Sequence, residues 1–306
     1  MTLTELRYIV ALARERHFGR AAEKCFVSQP TLSVAVKKLE DELGVILFER
    51  GQNEVRVTPA GEPIVIQAER VLAESAHIKE LADAGGDPLA GPLRLGAIYT
   101  IGPYLLPKLV PLLKARAPKM PLMLEENFTN RLLEKLKSSE LDVAILALPV
   151  DEPGLVAQAV YDEAFRVLLP ATHPWAKKKS VDPARLLGEP LLMLGRGNCF
   201  RDQVLDLCAQ AGDGGPQALE GSSLETIRHM VASGVGITVM PATAVATLPK
   251  DDPLLRAKPF SGPEPGRRVG LVWRASFPRH QAIDLVRKTL LDCKLPGTKP
   301  VSKRWQ

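Results

Sequence analysis

Val27-Ser28-Gln29-Pro30-Thr31-Leu32-Ser33-Val34-Ala35-Val36-Lys37-Lys38-Leu39-Glu40-Asp41-Glu42-Leu43-Gly44 carries its own start and stop signals. The Ser28 hydroxyl suits an N-cap, where it takes an amide that the first turn leaves unpaired. Pro30 fits the first turn because its missing N–H has no partner there in any case. Leu32, Ala35, Val36, Leu39 and Leu43 share one face at helical spacing. Gly44 closes the run as a C-cap. A helix over Gln29–Leu43 is predicted, with small polar residues at its N-terminal end.

Outward from it, Leu3 to Glu15 reads as a helix with Leu6, Ile9, Val10 and Ala13 on one face. Gly19 to Phe26 reads as a second, whose Ala21-Ala22 pair leaves room for close approach. On the other side, Val45 to Phe48 and Glu54 to Val57 read as short strands around the turn Arg50-Gly51-Gln52-Asn53. Two short helices, a tight turn, a longer helix and a hairpin describe a winged helix-turn-helix. DNA reading wants this layout. A capped helix N-terminus puts Ser28, Gln29, Thr31 and Ser33 at base edges, while the helix dipole and Lys37, Lys38, Arg50 and Arg56 meet phosphates. A generic three-helix packing unit has the same periodicity, so the pattern alone leaves both open.

Longer runs go further. Phe18-Gly19-Arg20-Ala21-Ala22, the run from Val27 to Ser33, and Leu39-Glu40-Asp41-Glu42-Leu43-Gly44-Val45-Ile46-Leu47-Phe48-Glu49-Arg50 closely resemble the N-terminal signature of LysR-type transcriptional regulators. Thr58-Pro59-Ala60-Gly61 is similar to that family's junction into its linker helix. The resemblance implies a DNA-binding winged helix over residues 1–58, with Gln29, Pro30 and Ser33 near bases and Lys37 and Arg50 near phosphates.

Residues 59–88 read as one helix between Pro59 and the breaker run Gly85-Gly86-Asp87-Pro88. Ile64, Ala68, Val71, Ser75, Ile78 and Ala82 recur every three or four residues, a heptad seam with the charged residues off it. A helix packed only on its own domain looks similar. A winged helix that reads a two-fold operator needs a dimer to set half-site spacing, and the seam offers one. The family implies the same, as a dimer or homotetramer, with promoter DNA and RNA polymerase as partners.

The 306 residues suffice for about two domains. At 45% hydrophobic and 25% charged, the chain supports real cores. Its longest apolar stretch, Val143 to Val150, falls far short of the roughly 20 residues that span a bilayer. Met1 to Val10 carries Glu5 and Arg7 where a secretory signal needs a clean apolar segment. A cytoplasmic protein with no membrane contact is expected. The net charge is +5, and residues 251–306 alone carry twelve Lys and Arg against five Asp and Glu. A solvated tail explains that excess as well as a polyanion partner does, so the DNA assignment rests on pattern.

From Gly91 apolar strands alternate with amphipathic helices. Strands are predicted at Pro92–Ala97, Met120–Glu125, Val143–Leu148, Val160–Leu169, Leu191–Leu194, Ile237–Met240 and Val269–Trp273, with helices at Tyr104–Ala117 and Asn130–Ser139. The order predicts an α/β region whose largely parallel sheet is covered on both faces. Crossovers near Asp162–Phe165 and Pro265–Val269 divide it into lobes of 91–162 plus 268–306 and of 163–267. The resemblance implies a two-lobed, periplasmic-binding-protein-like effector domain over 89–306. The expected fold class is therefore an α+β winged helix-turn-helix, a linker helix, and an α/β two-lobed domain. Clefts of that kind usually bind a small metabolite.

Four cysteines are too few for a disulfide scaffold. Cys25, beside Phe26, and Cys293, in the last helix, read as packed thiols. Cys199 and Cys208 share Gly195-Arg196-Gly197-Asn198-Cys199-Phe200-Arg201-Asp202-Gln203-Val204-Leu205-Asp206-Leu207-Cys208. The glycines mark a loop, Asn198 reads as an N-cap, and Gln203 to Gln210 continues as helix. Cys199 falls at or near a helix N-terminus beside Arg196 and Arg201, and positive potential of both kinds favours thiolate. Peroxide oxidises a thiolate to sulfenic acid, which a second thiol resolves as a disulfide. Cys208 lies nine residues on, about 13.5 Å along a continuous helix. A disulfide needs Cα atoms within roughly 7 Å, so a bridge demands local unwinding. Spacing alone leaves open a redox switch or two unrelated buried thiols. No His lies nearby and the pair lacks zinc-site spacing, so no metal and no cofactor are expected.

The stretch from Gly197 to Gln203, with Cys208, resembles the sensor motif of the peroxide-responsive members of the same family. Ile101-Gly102-Pro103-Tyr104-Leu105-Leu106-Pro107, the strand Val143–Leu148, Ser223-Leu224-Glu225-Thr226 and Gly234-Val235-Gly236-Ile237-Thr238 resemble that group along the effector region. The likeness implies Cys199 as the thiol that reacts with hydrogen peroxide and Cys208 as the resolving thiol. It implies Thr100 and Thr129 as polar partners for peroxide and Arg274 as a thiolate-stabilising arginine. Where some members carry His before the reactive Cys, this chain has Asn198. Asn cannot shuttle a proton, and Asn198 takes a positional role. The expected protein is a non-enzymatic, peroxide-sensing activator of oxidative-stress genes, switched by a reversible Cys199–Cys208 disulfide. The alternative is a family member gated by a small acid in the cleft, with inert cysteines. A thiol peroxidase lacks its motif here, and a transport binding protein lacks its signal sequence.

Overall fold

Thr2 and Glu5 start the first helix. Thr2 Oγ1 accepts from Glu5 N at 3.2 Å, and Glu5 Oε2 accepts from Thr2 N at 2.7 Å, a capping box. That helix, α1 (Leu3–Glu15), packs with α2 (Phe18–Lys24) and α3 (Gln29–Leu43). The hairpin β1 (Phe48–Arg50) and β2 (Val55–Val57) and the long α4 (Glu62–Asp83) follow. The computed structural model describes residues 1–51, 54–83, 86–209 and 218–301. The expected turn residues Gln52 and Asn53, the boundary residue Gly85 and the side chain of Arg50 lie outside the described residues. The chain divides into two compact units, Met1–Asp87 with Lys137–Glu140, and Pro88–Leu136 with Leu141–Gln306.

In the first unit Leu6, Ile9, Leu12, Ala21, Ala22, Leu32, Val36 and Leu39 make one core. The first wing strand starts at Phe48, not Val45. Glu40 Oε1 accepts from Leu47 N and Phe48 N at 2.7 and 3.1 Å, tying this stretch back to α3 before a ladder forms. The α4 seam also divides. Ile64 and Ala68 pack into the winged-helix core together with Val65 and Leu72, because α4 lies along α1. Farther along, Val71 is 37% exposed and Ile78 68% exposed. No helix among the described residues is long and apolar enough to cross a membrane.

The second unit opens with β3 (Leu93–Ile98), α5 (Gly102–Arg116), β4 (Leu122–Asn127), α6 (Thr129–Lys137) and β5 (Val143–Leu148). The sixteen-residue β6 (Leu155–Pro170) then carries the chain into a second lobe of β7 (Leu191–Leu194), α7 (Cys199–Ala209), β8 (Ala218–Gly221), α8 (Leu224–Ala232), β9 (Ile237–Pro241), α9 (Ala242–Val245) and β10 (Leu255–Lys258). The strand β11 (Gly266–Arg274) returns to the first lobe, which α10 (His280–Asp292) and β12 (Thr298–Pro300) complete.

One sheet runs β4-β3-β5-β11-β6-β9-β7-β8. It is mixed, not largely parallel. β3, β4 and β5 are parallel in one lobe, and β7, β8 and β9 in the other, but β6 and β11 pair antiparallel with each other and with their neighbours. A chain that leaves a lobe and returns through the same sheet must run both ways there. β6 pairs with β11 up to Ala164 and with β9 from Phe165, so the lobes meet between those two residues. Each lobe has its own core, one ending at Tyr161 and resuming at Val269, the other spanning Phe165 to Phe260 with Tyr104 added.

Candidate redox site and nucleic-acid interface

The loop before α7 is held in a single shape. Gly197 has φ +89°, a left-handed conformation that suits glycine. Asn198 Nδ2 donates to Gly195 O at 2.9 Å, and Arg201 N donates to Asn198 O at 2.9 Å. Cys199 is thereby the first residue of α7, among amides that no helical carbonyl takes. Its half-buried side chain packs on the core of the first lobe, whereas Phe200, Val204 and Cys208 are buried in the second. Nine residues are two and a half turns, so the sulfurs leave opposite faces of the helix, about 13.5 Å apart along its axis. Burial pushes the Cys208 thiol up from its ordinary value.

Against Cys199 lies a cavity of about 10 Å³, lined by Ile98, Tyr99, Thr100, Asn127, Phe128, Thr129, Gly197 and Asn198. That is room for a molecule of roughly water's size. Tyr99 and Phe128 meet edge to face at its rim, with centroids 5.3 Å apart. Thr129 Oγ1 is buried with no hydrogen-bond partner among the described residues. The structure thus brings Thr100, Thr129, Asn198 and Cys199 together around one small space. A far larger cavity of about 940 Å³ runs along the hinge strands, past Leu148, Ala159, Asp162, Arg268 and Lys299, and Cys199 is not in its lining.

The expected arginine, Arg274, is bonded to backbone carbonyls, and a second arginine of the same strand contacts a residue that lines the cavity. Arg274 lies at the end of β11, where Nη1 donates to Leu136 O and Leu141 O at 2.7 and 2.6 Å. It does not line the Cys199 cavity. Arg267, seven residues earlier and roughly 23 Å away along an extended strand, does not line it either, but it contacts Thr100, which does. Arg267 Nη1 donates to Thr100 Oγ1 at 2.7 Å and Nη2 to Thr100 O at 2.9 Å. Its Cζ lies 5.4 Å from the centroid of Phe200, the residue after Cys199. Nothing in the Gly266-Arg267-Arg268 run distinguishes these two positions before the strands are placed. Arg201 is directed elsewhere as well, onto Leu194 O at 2.9 Å and Glu220 Oε1 at 2.8 Å. Cys25 caps α2 and Cys293 caps α10; burial raises both thiols, and Cys293 Sγ donates to Thr289 O at 3.3 Å.

At the other candidate face, Ser28 Oγ accepts from Thr31 N at 3.3 Å and pairs with Thr31 Oγ1 at 2.8 Å, fixing the start of α3. Leu32, Val36 and Leu39 point inward, which leaves Ser28, Gln29, Pro30, Thr31 and Lys37 exposed and Ser33 half-buried. Lys38 lies 3.6 Å from Glu5, and Arg56 lies 3.1 Å from Glu54.

Residues 3–62 match the lysR family of bacterial regulatory helix-turn-helix proteins, and residues 86–293 match the LysR substrate binding domain. The chain is 45% identical over 278 residues to the DNA-binding transcriptional dual regulator OxyR of Escherichia coli K12, covering 91% of each chain. It is similar to a full-length OxyR variant from Pseudomonas aeruginosa, at 53% identity and a TM-score of 0.81 over 99% of this chain and 98% of that one. A Corynebacterium glutamicum OxyR variant with hydrogen peroxide bound matches at 35% identity and a TM-score of 0.65, over 95% of this chain and 92% of that one.

Proposed function

The chain belongs to the LysR family of bacterial transcriptional regulators, and we propose that within it this protein senses hydrogen peroxide through Cys199. The observation that carries the reading is the cavity of about 10 Å³ where Cys199 meets Thr100 and the unpartnered Thr129 hydroxyl. It admits only a very small molecule and excludes a metabolite of ordinary size, and the Thr100 and Thr129 hydroxyls suit a small polar oxidant. A helix N-terminus favours negative charge, and the thiolate is the reactive form of a cysteine. Attack on peroxide forms an S–O bond as the O–O bond breaks, leaving sulfenic acid. Cys208 then displaces water from that sulfur: an S–S bond forms, the S–O bond breaks, and the Cys208 proton leaves with the hydroxyl. The step requires α7 to unwind, since the two sulfurs leave opposite faces of an intact helix. Reduction by an external dithiol restores it.

The output is DNA binding by an activator. Ser28, Gln29, Pro30, Thr31 and Ser33 read bases, while Lys37 and Arg50 hold phosphates. Exposed Val71 and Ile78 on α4 support pairing of two chains, and two such dimers make the tetramer. Helix loss in the second lobe rotates this assembly and changes half-site spacing. RNA polymerase is the downstream partner, the setting is the cytoplasm, and the protein turns over no substrate. Mass spectrometry of peroxide-treated protein tests the chemistry. A 199–208 linkage is expected, absent from Cys199→Ser; oxidation that leaves both thiols free sinks the switch.

A further inference from the structure

The guanidinium of Arg267 and the carboxylate of Glu163 form an ion pair at 2.8 Å in which neither side chain is more than 1% exposed. The pair sits where the chain crosses between lobes, Glu163 on β6 and Arg267 on β11. Glu163 uses its two oxygens separately. Oε2 accepts from Arg267 Nε, while Oε1 accepts from Thr243 N at 3.1 Å and from the Thr243 hydroxyl. Arg267 uses the other end of its fork on Thr100, through Nη1 to Oγ1 and Nη2 to O. Because Thr100 Oγ1 already accepts from Arg267, its own proton points away from the guanidinium, and Thr100 lines the Cys199 cavity.

We propose that Glu163 is a positioning residue for the peroxide reaction: it locks Arg267, which in turn presents the Thr100 hydroxyl as a hydrogen-bond donor into the cavity. This rests on the reading of Cys199 as the peroxide-reacting thiol. As the thiolate takes one peroxide oxygen as OH, sulfur gives up two electrons, the S–O bond forms and the O–O bond breaks. The departing hydroxide accepts the Thr100 hydrogen bond and takes its proton from water. Without the lock, Thr100 is free to turn its hydroxyl elsewhere and the leaving oxygen loses its donor.

Glu163→Gln tests this, because one of the two oxygen positions becomes an NH2 group that faces the donor of either Arg267 or Thr243. The measurement is the rate at which reduced, full-length protein loses its Cys199 thiol to hydrogen peroxide, divided by the rate at which iodoacetamide alkylates the same thiol. Alkylation needs no donor for a departing hydroxide. The ratio is expected to fall at least tenfold in Glu163→Gln, to fall about threefold in Glu163→Asp, which keeps both oxygens on a shorter stem, and to hold in Thr243→Val, which removes only the hydroxyl contact. If Glu163→Gln does not fold, the Asp and Val variants decide by the same ratio. An unchanged ratio in the Glu163 variants, or an equal fall in Thr243→Val, overturns the inference while a fast wild-type reaction leaves the sensor reading intact. A wild-type Cys199 inert to peroxide overturns both.

Discussion

Thr129 carries the sharpest conflict between stability and chemistry at the scale of single residues. A buried hydroxyl without a partner costs about 1–3 kcal/mol. Thr129→Val keeps the shape and removes that penalty, so the melting temperature is expected to rise by about 2–4 °C while peroxide oxidation of Cys199 slows about tenfold. A faster or unchanged reaction shows that the hydroxyl has no part in it. The two arginines on β11 separate in the same way. Arg274→Ala removes the donor that Leu136 O and Leu141 O share and is expected to lower stability with oxidation intact, whereas Arg267→Lys loses the fork on Thr100 and slows oxidation. Cys208 adds a pH dependence. Its folded-state pKa is raised by burial, so its contribution to stability is whole below the unfolded value of about 8.5 and is lost as pH climbs through the raised one. In a Cys199→Ser background, the melting advantage of Cys208 over Cys208→Ala should shrink between pH 7 and pH 9.5.

Elements show why some positions were legible in the chain and others were not. α1 and α3 occupy the spans expected of them because their signals are local: an apolar stripe, Ser28 at one end of α3 and Gly44 at the other. β1 starts later than the run Val45–Phe48 suggests because the Glu40 side chain captures the amides of Leu47 and Phe48. β8, β10 and β12 have three or four residues each, too few for a period, and exist through their partners. At the site, Thr100, Thr129 and Cys199 were marked by motif, yet Arg267 needed the strands to be placed. The sensor helix is pinned by Phe200, whose ring meets Phe165 at 5.1 Å edge to face and lies under Arg267. Unwinding α7 disturbs that anchor. Phe200→Ala is expected to cost about 3–5 kcal/mol of reduced-state stability and to shift the thiol–disulfide balance towards the disulfide, read by titration against a dithiol redox buffer. A shift towards the thiols contradicts this role. On α4, Ile78→Glu puts a charge on the exposed seam and, if the proposed pairing of chains uses it, should yield monomers in sedimentation with loss of operator affinity.

For the molecule as a whole, the two-lobed unit places the two thiols of α7 against different cores. Cys199 leans on one lobe, Cys208 is buried in the other, and the two lobes meet between Ala164 and Phe165. In the proposed switch, a bridge between the sulfurs would trade helical order for a covalent loop, and DNA binding would respond to that loss. The antiparallel crossing of β6 and β11 was not readable from the β-α-β order, because that order specifies each lobe and not how the chain passes between them. The most direct test is a promoter footprint of full-length wild type, Cys199→Ser and Cys208→Ser, each with and without peroxide, scored beside the 199–208 linkage. The account expects the footprint to change in the wild type alone, in step with the linkage. A peroxide-dependent change in Cys208→Ser, or one in the wild type without the linkage, contradicts it.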